Sequence, residues 1–298
     1  MITINTERGL TNLNNWEDVL VTAGYTPNLD PNKHELSSII GRYIFRDKVK
    51  CGLSNCHTSH ERGYLVTTKS GEVTNIGKDC GKKYFGVNFE DLSKKFDRDI
   101  NEKEMRERLA NFAFGVEELE DQLNKLRHAS KGADWIYKQV NILQSRGGSI
   151  PEHVVRLLAE MVRSGSGTIT KSREASSEEF EALKATGANL NKARYIDESV
   201  GEIVGFEVMY PEYNLRKLLI LDIEENLREF KKLNVDIMNY EQLKNWTKWI
   251  GSIDNTIETA KLAIKHGQRL LTRENLIQLN KVLTHADSDL FRGFLKTL

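Results

Sequence analysis

The sequence predicts a mostly helical α+β protein: a small N-terminal zinc-binding module, a long coiled-coil-like helical arm and a C-terminal α+β domain. Three observations support this class. All three cysteines of the 298 residues fall between positions 51 and 86. Apolar residues then recur with heptad spacing from 105 to 126. Two apolar, β-prone runs, 202–210 and 217–223, lie in the second half of the chain.

Composition narrows the function classes. Lys plus Arg equals Asp plus Glu at 43 each, so the whole-chain charge favours neither nucleic acid nor membrane as a partner. The chain has no run of 18 apolar residues, and residues 1–10 have no signal-peptide core. Three clustered cysteines fit a reducing compartment better than a disulfide framework. We therefore expect a cytoplasmic protein, in a bacterium or in an infected host cell.

The cysteines predict a metal site. Cys51, Cys56, His60 and Cys80 follow the spacing C-x4-C-x3-H-x19-C. Three thiolates and one imidazole suit tetrahedral Zn²⁺, and four protein ligands leave no position for water, so we expect a structural metal. His57 is the alternative fourth ligand. We favour His60 because the adjacent side chains of Cys56 and His57 diverge in an extended chain. The competing interpretation is three buried, inert cysteines.

The residues between the ligands predict a treble-clef-like zinc finger within residues 1–87. A short loop carries the first ligands, and the β-prone runs 64–68 and 73–76 predict a hairpin around Lys69-Ser70-Gly71-Glu72. Cys80 then begins a short helical or turn segment that Gly86 ends. A complete treble clef takes two ligands from that helix start. Only Cys80 is available there, so a histidine from the loop side must complete the set.

The residues before Cys51 give weaker predictions of secondary structure. A short helix through residues 16–20 is predicted to end at Gly24. Residues 35–45 can form either a helix or a strand that packs on the zinc hairpin, and the sequence does not separate the two.

The zinc module is basic, with nine basic and four acidic residues from 42 to 85, a net charge of +5. With Tyr64, Tyr84 and Phe85 this pattern is compatible with a nucleic-acid surface. We favour a solvated face with inward-packed aromatics, because no base-reading helix follows.

A helical arm is predicted for residues 88–165. One helix from 89 to 128 would be roughly 60 Å long at 1.5 Å per residue. Its heptad seam either pairs with another helix of the chain or joins subunits, so we expect a homo-oligomer with intrachain pairing as the alternative. Gly115 weakens the seam by about 1 kcal/mol relative to Ala. The seam consists of Met105, Leu109, Phe112, Val116, Leu119, Leu123 and Leu126.

Further helices are predicted at 133–145 and 149–162, followed by a polar linker at 166–177 and a C-terminal domain at 178–298. In that domain the runs 202–210 and 217–223 are predicted as strands. A second seam runs from 243 to 264 and is predicted to end at Gly267. Trp246 and Trp249 are either interface anchors or, as we favour, buried side chains.

No catalytic motif is apparent. The sequence has no G-x-x-x-x-G-K-[ST] loop, G-x-G-x-x-G, H-E-x-x-H or G-x-S-x-G. We therefore expect a protein that is not an enzyme.

The run from Cys51 to Gly86, with its T-N-I-G-x-x-C-G-x-K-Y-F-G end, resembles a zinc-binding segment of uncharacterised bacteriophage proteins. This run covers about an eighth of the chain and by itself indicates no activity. The order of a small head, a long arm and a broad C-terminal domain resembles the phage-encoded inhibitor of the Gabija bacterial defence system. That resemblance implies an oligomer that surrounds a bacterial defence protein complex and blocks its handling of DNA, without catalysis.

Two hypotheses follow. The first is a phage counter-defence protein that inhibits a bacterial defence complex by stoichiometric protein–protein binding. The second is a nucleic-acid-binding zinc-finger protein, for which affinity would fall steeply with salt.

Overall fold

The computed structural model describes residues 2–6, 9–13, 15–185 and 194–298. Over these residues the protein is α+β, with ten α-helices and two antiparallel sheets. The strands are β1 Ile2–Thr6, β2 Gly9–Leu13, β3 Leu36–Lys50, β4 Ser59–Thr68, β5 Val73–Gly77, β6 Thr168–Glu174 and β7 Tyr195–Glu202. The α-helices are α1 Glu17–Leu20, α2 Lys78–Phe114, α3 Val116–His128, α4 Ala133–Gln144, α5 Glu152–Ser164, α6 Ser177–Ala185, α7 Glu225–Phe230, α8 Tyr240–Leu270, α9 Arg273–Leu276 and α10 His285–Leu295. Short 3₁₀ helices cover Phe206–Met209, Pro211–Tyr213, Val235–Ile237 and Ile277–Lys281, and a π-helix covers Arg216–Glu224.

The chain forms two compact units. The first unit contains Met1–Asn111 and Val235–Thr247, and the second contains Phe112–Asn234 and Lys248–Leu298. Each unit is therefore built from two separate stretches of sequence. These divisions do not coincide with the predicted boundaries after residues 87, 165 and 177, because those boundaries assumed that every domain is one continuous segment.

A five-stranded antiparallel sheet in the order β2-β1-β3-β4-β5 organises the first unit. Residues 35–45, which the sequence predicted as either helix or strand, belong to β3 from Leu36 onward. In this strand Ile39, Gly41 and Tyr43 are buried at every second position, which is the period of a strand with one covered face. The predicted hairpin is confirmed as β4 and β5, with Thr67 opposite Val73 at its turn end.

Helix α2 covers one face of this sheet. Its residues Phe89, Phe96 and Ile100 pack in one apolar cluster with Tyr64 and Ile76 of β4 and β5. Gly86 interrupts the helix with φ 58° and ψ −140°, a left-handed conformation that glycine adopts without steric cost. The predicted stop at Gly86 is therefore confirmed, although a helix resumes directly after it.

The predicted coiled-coil-like arm is not confirmed. Helix α2 ends at Phe114 and α3 begins at Val116, so Gly115 interrupts the seam instead of only weakening it. The C-terminal part of the seam, from Phe112 onward, packs in the second unit. Leu123 is buried in its core, and the ring of Phe112 lies 5.4 Å from that of Phe230 and 5.7 Å from that of Trp249.

Two predicted strands of the second half are wrong. Of the run 202–210, only Glu202 belongs to a strand, and four of the other eight residues, Phe206–Met209, form a 3₁₀ helix. The run 217–223 lies inside the π-helix. The second unit's strands are β6 and β7, which pair with each other. Strand β6 occupies most of the predicted linker 166–177, and its Ile169 is buried in the core.

Three further predicted helices are present, and their ends differ from the predicted ones by up to three residues. The predicted helices 133–145 and 149–162 correspond to α4 and α5. The second seam lies on α8, which continues past Gly267 to Leu270. A Cβ at Gly267 would overlap the side chain of Ile136, so this glycine permits close packing between two helices. Among the described residues, no helix is long and apolar enough to cross a membrane.

Candidate metal centre

The three cysteines meet at the end of the first unit's sheet. Cys51 directly follows β3, Cys56 lies in the loop to β4, and Cys80 is the third residue of α2. Their sulfur atoms all lie within 4.8 Å of one another, and those of Cys56 and Cys80 are 3.3 Å apart. Residues that are up to 29 positions apart in sequence therefore form one thiol cluster.

This cluster fits a thiolate-bound metal. At a Zn–S distance of about 2.3 Å, tetrahedral geometry places ligand sulfurs roughly 3.8 Å apart. The 3.3 Å separation of Cys56 and Cys80, and the upper limit of 4.8 Å for all three pairs, are compatible with this value. Thiolates select Zn²⁺, Cu(I) and iron–sulfur species over hard cations such as Mg²⁺. The donor set is thus compatible with metal binding and leaves the choice among thiolate-preferring metals open.

The loop between Cys51 and Cys56 is fixed by backbone hydrogen bonds. The N–H of Cys51 donates to the carbonyl of Thr58 at 2.9 Å, and that of Cys56 donates to Leu53 at 3.1 Å. The N–H of Gly52 donates to Asn75 on β5 at 2.8 Å. A Cβ at Gly52 would overlap the Oγ1 atom of Thr74, so only glycine allows this close approach of loop and strand.

The three thiols differ in their electrostatic surroundings. Burial raises the pKa of Cys51, and hydrogen bonds from the backbone at Leu53 and Gly77 partly oppose this effect. Partial burial also disfavours the Cys56 thiolate, but hydrogen bonds with the side chain and backbone of Thr58 outweigh it and lower the pKa of Cys56 to about 7. Burial, followed by the hydrogen bond with Cys56, raises the pKa of Cys80 to about 12. Hydrogen bonds to sulfur are what a metal-bound thiolate requires of its surroundings.

His60, the predicted fourth ligand, does not join the cluster in this structure. Its Nδ1 atom lies 3.1 Å from the carbonyl oxygen of Thr58, and its Nε2 atom lies 2.5 Å from the hydroxyl of Tyr43. Burial lowers the pKa of His60, in keeping with a neutral ring that donates through Nδ1 and accepts through Nε2. His57 is exposed and has φ 51°. The chain at His57 is therefore not extended, which removes the geometric argument that favoured His60 over His57.

Asn75 supports the cysteine cluster, although it is not among the candidate site residues that the sequence predicts. Its buried amide donates to the carbonyl of Lys50 at 2.8 Å and to the hydroxyl of Tyr43 at 3.1 Å, and it accepts from the hydroxyl of Tyr25 at 2.8 Å. Asn75 thus holds the residue that precedes Cys51 and also the tyrosine that contacts His60. The signal available in the sequence was an asparagine, a residue that strands disfavour, inside the β-prone run of β5.

The aromatic residues of the basic module mostly pack inward. Tyr64 is buried and its hydroxyl donates to Asp97 at 2.7 Å, while the hydroxyl of Tyr84 donates to the carbonyl of Asn55 at 3.3 Å. Phe85 packs against the same apolar cluster as Tyr84. In the second unit, Trp249 donates from its ring nitrogen to the carbonyl of Asp222 at 2.8 Å. These contacts favour the predicted inward packing over exposed stacking surfaces.

Basic side chains nevertheless line one cleft of the first unit. Arg42, Arg62 and Lys78 border a space of about 320 Å³ between β3, β4 and the start of α2. The Nη2 atom of Arg42 donates to both carboxylate oxygens of Glu104, at 2.7 and 2.8 Å, and Asp97 in the same cleft lies 3.9 Å from Nη1 of Arg42. Arg62 and Lys78 are exposed.

Comparison of the chain with known protein families, with curated proteins and with solved structures gives no match. The chemistry of the site and the exposed surface therefore carry the information about function.

Proposed function

We propose that Cys51, Cys56 and Cys80 bind a structural Zn²⁺ and that the loop, hairpin and helix around them are a treble-clef-like zinc finger. The observation that carries this proposal is the meeting of three thiols from a loop and a helix start within 4.8 Å. The first unit's sheet is small, and a metal that links the β3–β4 loop to α2 would stabilise it. A histidine of the same loop, His60 or His57, would complete the coordination.

Metal analysis of the purified protein tests this proposal. We expect close to one equivalent of zinc per chain, and we expect Cys80→Ser to lose the metal and destabilise the first unit. The variants His57→Ala and His60→Ala identify the fourth ligand, because only one of them should lower zinc affinity strongly. Ser54→Ala, in the same loop but outside the cluster, is the matched control. A fully folded wild-type protein that contains no metal would overturn the proposal.

For the whole chain, we propose a phage-encoded counter-defence function. The protein would bind a bacterial defence complex stoichiometrically in the host cytoplasm, as a homo-oligomer, and block its access to or cleavage of DNA, without acting as an enzyme. The balanced charge of 43 basic and 43 acidic residues supports protein partners over nucleic acid as the main target. The partner class comes from the resemblance of the sequence to the Gabija inhibitor, of which only the small N-terminal module and the C-terminal domain still give support, because the long arm is not confirmed.

An exposed aromatic residue supports protein binding. Phe114, in the last turn of α2, is 88% exposed, and such side chains often anchor protein interfaces. Ile237 at 80% and Val87 at 71% are further exposed apolar side chains, both in the first unit. Phe114 replaces the partly or fully buried Tyr64 and Trp249 as the leading candidate for a contact residue.

A titration tests the inhibitor proposal. A purified defence complex is mixed with increasing amounts of this protein, and its DNA cleavage is measured. We expect inhibition that saturates at a fixed ratio of the two proteins. We expect Phe114→Ala to weaken it and Phe112→Leu, a change of a packed ring on the same helix, to lower stability instead. Inhibition far below one copy per target subunit would contradict stoichiometric binding.

The basic cleft favours one second candidate, nucleic-acid binding by the first unit. Phosphate contacts from Arg62 and Lys78 would make affinity fall steeply with salt. The double variant Arg62→Ala, Lys78→Ala should then lower both affinity and salt slope. Lys69→Ala, a lysine paired with Glu35 elsewhere on the unit, should not. Tight DNA binding without any effect on a defence complex would favour this candidate over inhibition.

A further inference from the structure

We propose that Cys56 and Cys80 form a site of reversible oxidation, at which a hydroperoxide joins them in a disulfide and releases the bound metal. This inference rests on the proposed zinc site for its metal-release part. The disulfide itself follows from the positions of the thiols.

The distance between the two sulfurs is short enough for this pair to form a disulfide. The sulfur atoms of Cys56 and Cys80 lie 3.3 Å apart. A disulfide bond is about 2.05 Å long, so the sulfurs need to approach by only roughly 1.3 Å. Cys56 lies in a loop and Cys80 in the first turn of α2.

Solvent access separates these two cysteines from the third. Cys51 is 1% exposed and is followed by buried Gly52, whereas Cys56 and Cys80 are both partly exposed. Cys56 lies between exposed Asn55 and His57. A soluble oxidant therefore reaches Cys56 or Cys80 before Cys51.

The chemistry balances with one hydroperoxide. The sulfur of Cys56 attacks the peroxide oxygen, the O–O bond breaks, and a sulfenic acid forms while the other oxygen leaves as water or an alcohol. The sulfur of Cys80 then attacks the sulfur of Cys56, forms the S–S bond and displaces hydroxide, which takes a proton to become water. The two thiols lose two electrons and the peroxide gains them. A dithiol reductant reverses the reaction.

Oxidation removes two of the three thiolates from the metal. Cys51 and one imidazole cannot retain Zn²⁺ with comparable affinity, so the metal leaves. The new bond also links the β3–β4 loop to α2, the same two elements that the metal joins. The loop thus stays attached to the helix after the metal has left.

Peptide mapping of the full-length, zinc-loaded protein tests the inference. The protein is treated with hydrogen peroxide, free thiols are alkylated under denaturing conditions, and released zinc is followed with a chromogenic chelator. We expect loss of one zinc per chain together with two of the three thiols, a Cys56–Cys80 disulfide, and an alkylated Cys51. Dithiothreitol with added zinc should restore the starting state. A disulfide that contains Cys51, or oxidation to sulfinic acid without any disulfide, would overturn the inference.

Two further measurements test the zinc site and the oxidation site independently of each other. Cys51→Ala retains the oxidisable pair and should still form the disulfide, whereas Cys80→Ser should form none between these positions. Zinc is also measured before oxidation. A protein that forms the Cys56–Cys80 disulfide but never contained metal would contradict the zinc proposal and leave the oxidation site standing. A metal-loaded protein that releases zinc without this disulfide would contradict the oxidation site alone.

Discussion

Asn75 connects the sheet to the loop that carries Cys51 and Cys56 through a single buried amide. It bonds to the backbone that precedes Cys51 and to Tyr43, which in turn contacts His60. Buried polar groups of this kind stabilise a structure only while all their partners are present, because an unpaired buried donor or acceptor costs free energy.

We expect Asn75→Ala to lower the free energy of unfolding of the first unit by roughly 1–3 kcal/mol and to weaken metal binding. The substitution leaves the Lys50 carbonyl and the Tyr25 hydroxyl without their partner. Urea unfolding and zinc competition with a chelator measure the two effects. Asn55→Ala, at an exposed position of the same loop, is the control and should change neither. An unchanged zinc affinity in Asn75→Ala would show that the loop is held by other contacts.

Glu72 allows a test of electrostatics at the β4–β5 turn. Hydrogen bonds from Thr68, and then from Ser70, lower the pKa of Glu72 to about 2 from its ordinary 4.5. Because the folded-state pKa is the lower one, ionised Glu72 contributes stability that is present above pH 4.5 and is lost as the pH falls through about 2. The carboxylate is exposed, so the effect on stability is small.

An NMR titration of the Glu72 carboxyl carbon checks the direction of this shift. We expect a midpoint well below 4.5 in the wild type and a midpoint closer to 4.5 in Thr68→Ala. Thr68→Ser keeps the hydroxyl and should keep the low midpoint. Equal midpoints in Thr68→Ala and Thr68→Ser would show that Thr68 is not the cause.

From the sequence, only the type and the spacing of the site residues could be used to predict the site. Cysteines are scarce in this chain, so their clustering in sequence pointed to the three residues that meet. The sequence could not indicate that His60 turns toward Tyr43, because that contact depends on how β3 and β4 are aligned. In their register Val49 lies opposite His60 after a shift in pairing, which no local pattern reveals.

Among the secondary-structure elements, the π-helix Arg216–Glu224 shows how composition can mislead. Its run of Leu and Ile is β-prone, and the sequence reading treated it as a strand. The buried residues of this region are Leu215, Leu219, Ile223 and Leu227, each four positions from the next. That spacing is helical, and it becomes visible only when the residues on both sides of the run are included.

Two leucines of this helix provide a direct test. A strand would place Leu219 and Leu221 on the same face, whereas the structure buries Leu219 to 1% exposure and leaves Leu221 41% exposed. We expect Leu219→Ala to lower the free energy of unfolding by about 2–5 kcal/mol and Leu221→Ala by less than about 1 kcal/mol. Urea unfolding followed by circular dichroism measures both. Similar losses from the two variants would support the strand instead.

At the level of the whole molecule, the first heptad seam is largely covered within the chain. Leu109, Val116 and Leu123 are buried, and Leu119 packs against the core of the second unit. The sequence correctly indicated an apolar helix face that needs a partner. It could not say which partner, because intrachain and intersubunit packing produce the same pattern.

Self-association, if it occurs, should therefore not depend on this seam. We expect Leu119→Glu to lower the free energy of unfolding by roughly 2 kcal/mol or more, because a carboxylate then enters an apolar core, whereas Leu119→Met should be nearly neutral. Phe114→Glu should leave stability unchanged and lower the apparent mass of any oligomer. Circular dichroism and light scattering on the same samples separate the outcomes. A folded Leu119→Glu monomer derived from a wild-type oligomer would show that the seam joins subunits.

The division of the first unit into two stretches of sequence bears on how the protein is made. Arg106 of α2 donates to the carbonyls of Val235 and Met238, so the first unit includes contacts with residues more than a hundred positions later. A ribosome delivers the N-terminal residues first, and domains generally fold as units during synthesis. The first unit cannot be completed until residue 247 has emerged, by which time most of the second unit has already been synthesised. During this interval the three thiols belong to an incomplete unit, and a metal bound at the proposed site would protect them before the last contacts form.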